Sequence, residues 1–330
     1  MSGCFPVTIS TEDCAGEPIV HRLDLDRQPG GGQLLRCPLG PLPGGFSIAA
    51  GHPGTCHLLE RLWVCSRVDG APAPQMVIHR AAGFHGRYLD VDRGLQLLSY
   101  EYAPFTIVKQ ALRWRFALEC AGSPYLPLHG TVLEIDGKRL CITGAGGSGK
   151  SHLAEAWGER HAGVSILIED WCLLELPARR LHLVAERCLH VRGVAVGKPY
   201  LQPAGSVPEL VEICARDPFS AESRYLIDRH ELPGFAEPQA ESNLDAFLIL
   251  AGPFTGPFQI ADSRVAVAAA LRGERGLFWD RSNQHLPQST VADLGWKWES
   301  MLRELPVAIA SGYAGEGVHR LIDEATRRLL

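Results

Sequence analysis

Gly144-Ala145-Gly146-Gly147-Ser148-Gly149-Lys150-Ser151 reads G-x-x-x-x-G-K-S, the spacing of a phosphate-binding P-loop. Glycines let the backbone adopt angles that other residues resist, so that its N–H groups can turn inward on phosphate oxygens. Lys150 supplies a positive charge for the β- and γ-phosphates of a nucleotide, and the Ser151 hydroxyl is placed to ligate Mg²⁺. A helix beginning near Ser151 would aim the positive end of its dipole at the same phosphates. The flanks fit. Residues 139–143 form a short apolar run suited to a buried strand. Residues 152–162 are helix-like, with Leu153 and Trp157 one turn apart and Gly163 available to end the helix.

The same glycines allow a competing reading. Gly144, Gly146 and Gly149 also spell G-x-G-x-x-G, and the acidic pair Glu169-Asp170 follows a second strand, as in a dinucleotide-binding fingerprint. Against it, Lys150-Ser151 has no task in such a loop, and the loop sits mid-chain behind a hairpin.

The chain has 330 residues, enough for two domains. A 46% apolar and 21% charged composition belongs to an ordinary soluble globular protein. A net charge of −5 argues against broad contact with a nucleic-acid backbone. No apolar run reaches membrane-spanning length and no secretory signal opens the chain. The ten cysteines are scattered, without C-x-x-C, and read as free buried thiols of a cytoplasmic protein rather than a disulfide framework or zinc site.

Residues 1–105 alternate short apolar runs with Gly and Pro and read as a β-rich N-terminal domain. Strands are expected at 75–78 and 95–98, the second paired in a hairpin with 87–91 across Asp92-Arg93-Gly94. His79, His85 and Asp90 read as solvated strand residues rather than metal ligands. A second domain is expected over 106–330. It opens with a helix at 106–119, where Val108, Leu112 and Phe116 recur at i, i+4. Residues 130–135 and 138–143 then form a hairpin around Asp136-Gly137, a favoured two-residue turn, with His129 at its start.

Beyond the loop helix, residues 164–168 read as a buried strand ending in Glu169-Asp170, beside the P-loop at the carboxyl end of a parallel strand. An acid there holds Mg²⁺ or accepts the proton of the acceptor hydroxyl, although a turn or capping role is the plainer alternative. Residues 182–196 are β-like around Arg192-Gly193. Residues 197–240, rich in Pro, Gly and charge, suit a lid or acceptor-binding segment. A buried strand is expected at 244–251, helices at 264–272 and 294–305, and a short strand at 306–310. The last helix carries Val318, Leu321, Ile322, Ala325 and Leu329 on one face.

The order His129-Gly130, P-loop, Glu169-Asp170 and Leu189-His190-Val191-Arg192-Gly193 resembles the HPr kinase/phosphorylase family and its looser relatives, among them peptide serine kinases of lasso-peptide biosynthesis. The likeness covers roughly residues 104–330 and is most convincing over 126–196. It implies an α/β fold with a PEP-carboxykinase-like P-loop kinase core. By the resemblance, Glu169 stands where the family's first aspartate acts as base toward a serine hydroxyl, and Asp170 stands at the second, near the metal. His129 matches a histidine near the transferred phosphate, and Arg192 matches the arginine of a Leu-Glu-x-Arg-Gly signature. Two departures are plain: glutamate replaces the first aspartate, and His190 replaces the signature glutamate associated with metal binding. Histidine is a poor Mg²⁺ ligand beside a carboxylate.

The expected activity is therefore an ATP- and Mg²⁺-dependent transfer of the γ-phosphoryl group to a hydroxyl, foremost a serine of a peptide or small protein. The catalytic candidates are Glu169, Asp170, His129, Lys150 and Arg192, with Ser151 and Asp170 on the metal. A small-metabolite acceptor such as free serine or a sugar is the second expectation, and a non-catalytic nucleotide-binding regulatory module the third. No nucleic-acid or membrane partner is expected, and a homo-oligomer is compatible with the family resemblance.

Overall fold

The computed structural model describes residues 6–12, 18–22, 33–39, 41–50, 56, 59–61, 66–67, 76–80, 86–90, 95–100, 115–144, 148–183, 188–192, 209–212, 224–231, 243–250, 259–262, 287–311 and 317–330. They form a mixed α/β protein that divides into two compact units. One comprises Met1–Arg113, Ala185–Val196 and Glu209–Leu226; the other comprises Trp114–Val184, Gly197–Pro208 and Ile227–Leu330. Neither is contiguous in sequence.

The first unit is built of strands. Up to Arg113 they are, in chain order, β1 (Pro6–Glu12), β2 (Pro18–Arg22), β3 (Gln33–Leu39), β4 (Leu42–Ala50), β5 (Ser66–Arg67), β6 (Met76–Arg80), β7 (Gly86–Asp90) and β8 (Leu95–Tyr100). β1 and β2 form a ribbon; the others form one sheet in the order β5-β3-β4-β6-β8-β7. The expected hairpin is present, with β7 antiparallel to β8 and Asp90 opposite Leu95. Cys37 on β3 is disulfide-bonded, which corrects the expectation that all cysteines are free thiols. Cys56, Cys120, Cys141, Cys172 and Cys188 are free and buried.

The second unit holds the glycine loop. Its elements are β9 (Tyr125–Ile135), β10 (Lys138–Gly144), α1 (Lys150–Arg160), β11 (Ser165–Ile168), β12 (Trp171–Glu175) and β13 (Arg180–Leu183). A further three-stranded sheet, in the order β14-β16-β15, belongs to the first unit except for Ile227 and Asp228; it is made by β14 (Cys188–Arg192), β15 (Glu209–Glu212) and β16 (Arg224–Asp228). The second unit then continues with β17 (Ala246–Leu250), β18 (Gln259–Asp262), α2 (Gln288–Glu304), β19 (Val307–Ser311) and α3 (Gly317–Leu329). Residues 115–120 are helical, within the expected helix at 106–119 and one residue past it, while 106–114 and the expected helix at 264–272 lie outside the described residues.

The eight-stranded sheet runs β13-β12-β9-β10-β17-β19-β18, with β11 also on β9. β10, β17 and β19 are parallel neighbours. β9 is antiparallel to β10 through a tight turn in which Asp136 and Gly137 both have positive φ, 50° and 78°. That is the conformation an Asp-Gly hairpin turn favours. β17 is buried at every position because the sheet is covered on both faces. On one face Leu133, Ile135, Leu140, Ile142, Ala246 and Leu248 pack with Leu153 and Trp157 of α1 and with Leu321 and Ile322 of α3. On the other, Phe247 meets Trp298 of α2 edge to face, with ring centroids 5.8 Å apart. All five apolar-stripe residues of α3 are buried, as its periodicity predicts. Arg160 of α1 and Asp323 of α3 add a surface ion pair at 2.6 Å, a minor contribution beside that burial. No helix among the described residues is long and apolar enough to cross a membrane.

The β9–β10 hairpin closes tightly. A Cβ on Gly130 would lie 2.6 Å from the Ile142 carbonyl oxygen and 3.0 Å from Cys141 Sγ. Gly130→Ala is therefore expected to cost about 1–3 kcal/mol, because the obstruction is backbone rather than a movable side chain. Gly158 in α1 is the internal control: it is exposed, with nothing within 4 Å of an added Cβ. Gly158→Ala should stabilise by about 0.5–1 kcal/mol through helix propensity. Thermal unfolding of the two variants should move in opposite directions; a Gly130→Ala protein as stable as wild type would refute the packing argument.

Candidate functional site

The site starts where β10 ends. Gly144 pairs with Leu250 at the carboxyl ends of two parallel strands. A Cβ there would stand 2.6 Å from the Leu250 carbonyl oxygen and 2.8 Å from Ser148 Oγ, so only glycine fits. Ala145, Gly146 and Gly147 lie outside the described residues. The chain re-enters at Ser148 and turns into α1 through Gly149, whose φ of 89° is left-handed. No side chain caps that helix end, which leaves its first amides oriented toward the loop. Lys150 is buried, and its Nζ donates to the Gly144 carbonyl at 3.1 Å, so the ammonium is held against the end of β10.

The acidic pair reaches this loop by a route that differs from the expected one. β11 does not end as a parallel strand beside the P-loop. It pairs antiparallel with β9, and after Glu169-Asp170 the chain resumes on the same β9 as β12. The register shifts between Ile166 and Ile168, and Trp171 comes opposite His129. Regular strands send successive side chains to opposite faces. His129 and Thr131 thus continue the row of Leu133 and Ile135, the face on which α1 packs. Asp170 escapes the alternation: its φ of 79° is left-handed, uncommon for any residue other than glycine, though Asp tolerates it better than most. Its main-chain oxygen accepts the Gly130 amide at 2.9 Å, and its carboxylate lies 3.0 Å from His129 Nε2.

Glu169 is buried between two hydroxyls. Thr131 Oγ1 donates to Oε2 at 2.5 Å, and Ser151 Oγ donates to Oε1. Burial pushes its carboxyl above the ordinary value. The hydroxyls of Ser151 and Thr131 pull it back, the neighbouring Asp170 raises it, and the Lys150 charge lowers it. Burial is the largest influence, and it disfavours the charged form.

Five expected residues therefore come together in one unit: His129, Lys150, Ser151, Glu169 and Asp170. Their pairing differs from the resemblance-based assignment. Glu169, not Asp170, faces Ser151, while Asp170 faces His129. Arg192 closes β14 in the sheet with β15 and β16; its side chain and that of His190 lie outside the described residues. Sequence reading missed Thr131 and Trp171. Trp171 stacks on the His129 ring, centroids 5.6 Å apart and planes 13° from parallel, and Phe116 meets Trp171 edge-on at 6.2 Å. Thr131 could have been found from alternation, since it stands two residues from His129 on one strand.

Among the described residues no group of three or more His, Cys, Asp or Glu is placed to hold a metal ion. Ser151 and Glu169 nonetheless offer touching hydroxyl and carboxylate oxygens at the start of α1. That donor chemistry fits Mg²⁺, which takes few protein oxygens and keeps waters or phosphate oxygens for the rest. No family model and no curated protein matches the chain.

The raised Glu169 carboxyl has a consequence for stability, with a definite sign. Its folded value exceeds the ordinary 4.5, so the folded protein binds the proton more tightly than the unfolded chain. Stability must then fall as pH rises from about 4.5 through the raised value. Glu169→Gln removes that loss while keeping groups for both hydroxyls. The variant is expected to gain in melting temperature over wild type as pH rises above about 4.5, and to converge with it below that. A constant offset above and below that pH would show that ionisation of Glu169 is not what the fold resists.

Proposed function

We propose that this protein is an ATP- and Mg²⁺-dependent phosphotransferase with a PEP-carboxykinase-like P-loop core. Its acceptor is a hydroxyl, foremost a serine of a peptide or small protein. The observation that carries the reading is the contact of Ser151, the last residue of the G-x-x-x-x-G-K-S loop, with the buried carboxylate of Glu169. A hydroxyl at the start of a loop helix beside an acid from a neighbouring strand is what a Mg²⁺–phosphate site requires. The dinucleotide alternative leaves the buried Lys150 and the Ser151–Glu169 contact without a task.

The roles follow the pairing. Lys150 and the amides around Gly149 hold the β- and γ-phosphates. Ser151 and Glu169 would hold Mg²⁺, which when bound offsets charge on the phosphoryl group. Asp170 takes the hydroxyl proton, with His129 beside it to orient the carboxylate. This exchanges the two acids relative to the family resemblance. The peptide acceptor rests on that resemblance alone. A cytoplasmic setting suits the five described free thiols but not the disulfide at Cys37.

The test is phosphoryl transfer from ATP to a panel of peptide and metabolite acceptors, read by mass spectrometry. Lys150→Ala should abolish transfer. Asp170→Asn should lower kcat by roughly 10²–10⁴ with nucleotide affinity retained, since Asn also tolerates left-handed backbone. Glu169→Gln should raise the Mg²⁺ concentration needed for half-maximal rate, which Asp170→Asn should leave alone. Near wild-type turnover in Lys150→Ala would sink the proposal. Tight ATP binding without transfer to any acceptor would move it to a regulatory nucleotide-binding module.

A further inference from the structure

The second hydroxyl on Glu169 has no place in the P-loop pattern. Thr131 is fully buried on β9, which pairs with β10 on one edge and with β11 and β12 on the other. Its backbone pairs with Ile142 of β10 on one side, and on the other the adjacent Gly130 amide bonds the Asp170 carbonyl. Threonine is stiff at χ1, whereas the last torsion of glutamate is broad and roughly two-fold. An unrestrained Glu169 carboxylate would rotate about that torsion and turn its plane away from Ser151. The 2.5 Å bond from Thr131 Oγ1 occupies Oε2 and leaves Oε1 toward Ser151.

We infer that Thr131 is a positioning residue, which fixes the plane of the Glu169 carboxylate so that an oxygen, together with the Ser151 hydroxyl, is presented to the divalent cation. Among the described residues the Thr131 hydroxyl donates to Glu169 while Lys150 donates to the Gly144 carbonyl, so the effect of Thr131 is on the metal and not on metal-free nucleotide. Hydrogen-bonding partners of metal-binding groups typically contribute tenfold to a hundredfold in metal affinity or activity. This inference rests on the proposed Mg²⁺–nucleotide reading of the site.

The experiment uses the full chain with Mn²⁺ as a paramagnetic probe and ADP, followed by electron paramagnetic resonance and by calorimetry. Thr131→Val keeps the shape and removes the donor; Thr131→Ser keeps the donor. Thr131→Val is expected to weaken Mn²⁺ binding in the presence of ADP by about tenfold to a hundredfold, and Thr131→Ser to recover most of it. ADP affinity without metal should be unchanged in both, and kcat should fall with Mn²⁺ affinity while KM for the acceptor stays. Wild-type Mn²⁺ affinity in a folded Thr131→Val protein would overturn the inference. Should that variant fail to fold, Thr131→Ala against Thr131→Ser makes the same comparison: a weak Ala and a recovered Ser support it, and equal values overturn it. If the wild type itself binds neither ADP nor Mn²⁺ with ADP, the proposed function falls first and the inference with it.

Discussion

A buried carboxylate is costly unless hydrogen bonds replace its water. Glu169 meets that condition with two hydroxyls from two elements, Thr131 on β9 and Ser151 on α1. This one group ties the hairpin before the glycine loop to the helix after it. Burial still raises its carboxyl, so the two bonds do not fully compensate for lost solvation. A protein shaped for stability alone would do better with an apolar residue there. Keeping a carboxylate at the start of α1 is the kind of local conflict that marks functional sites.

The second carboxylate is placed by backbone rather than by burial. In a regular strand Asp170 would point away from the face shared by Thr131 and His129. Its left-handed φ breaks the alternation, at a cost of the order of 1 kcal/mol or more. The return is a carboxylate 3.0 Å from His129 Nε2, whose ring is held flat against Trp171. Adjacent acids repel, and Asp170 does raise Glu169. Directing them to separate partners reduces what that repulsion costs.

Much of the fold was legible because its signals are local. Asp136-Gly137 specified a hairpin turn, Leu153 and Trp157 a helix face, and the five-residue stripe of α3 its buried side. The apolar run at 244–251 read as a buried strand, and β17 occupies 246–250 of it, buried at every position. The site was legible as a set of residues and not as a set of partners. Which acid meets Ser151 depends on strand register, and a shift of one residue exchanges the two faces of a strand. The irregularity between Ile166 and Ile168 and the φ of Asp170 decide it, and neither leaves a mark in composition. The disulfide at Cys37 was missed for a similar reason: pairing depends on geometry that spacing does not carry.

The tripeptide His129-Gly130-Thr131 connects these points. Each member holds one part of the acidic pair: the His129 ring the Asp170 carboxylate, the Gly130 amide the Asp170 carbonyl, and the Thr131 hydroxyl the Glu169 carboxylate. Gly130 lets this happen at close range, since any side chain there would press on the Ile142 carbonyl one strand away. The same strand row turns from Ile135 and Leu133, packed under α1, to Thr131 and His129 beside the helix start. The boundary between core and site therefore falls within one strand. Because β9 pairs with β10 over 130–135, with β12 over 125–129 and with β11 over 132–134, its residues cannot adjust independently of the sheet. Preorganisation of the acids is then a property of the sheet's register, and a proton acceptor or metal ligand built this way needs no rearrangement of its own backbone when a substrate arrives.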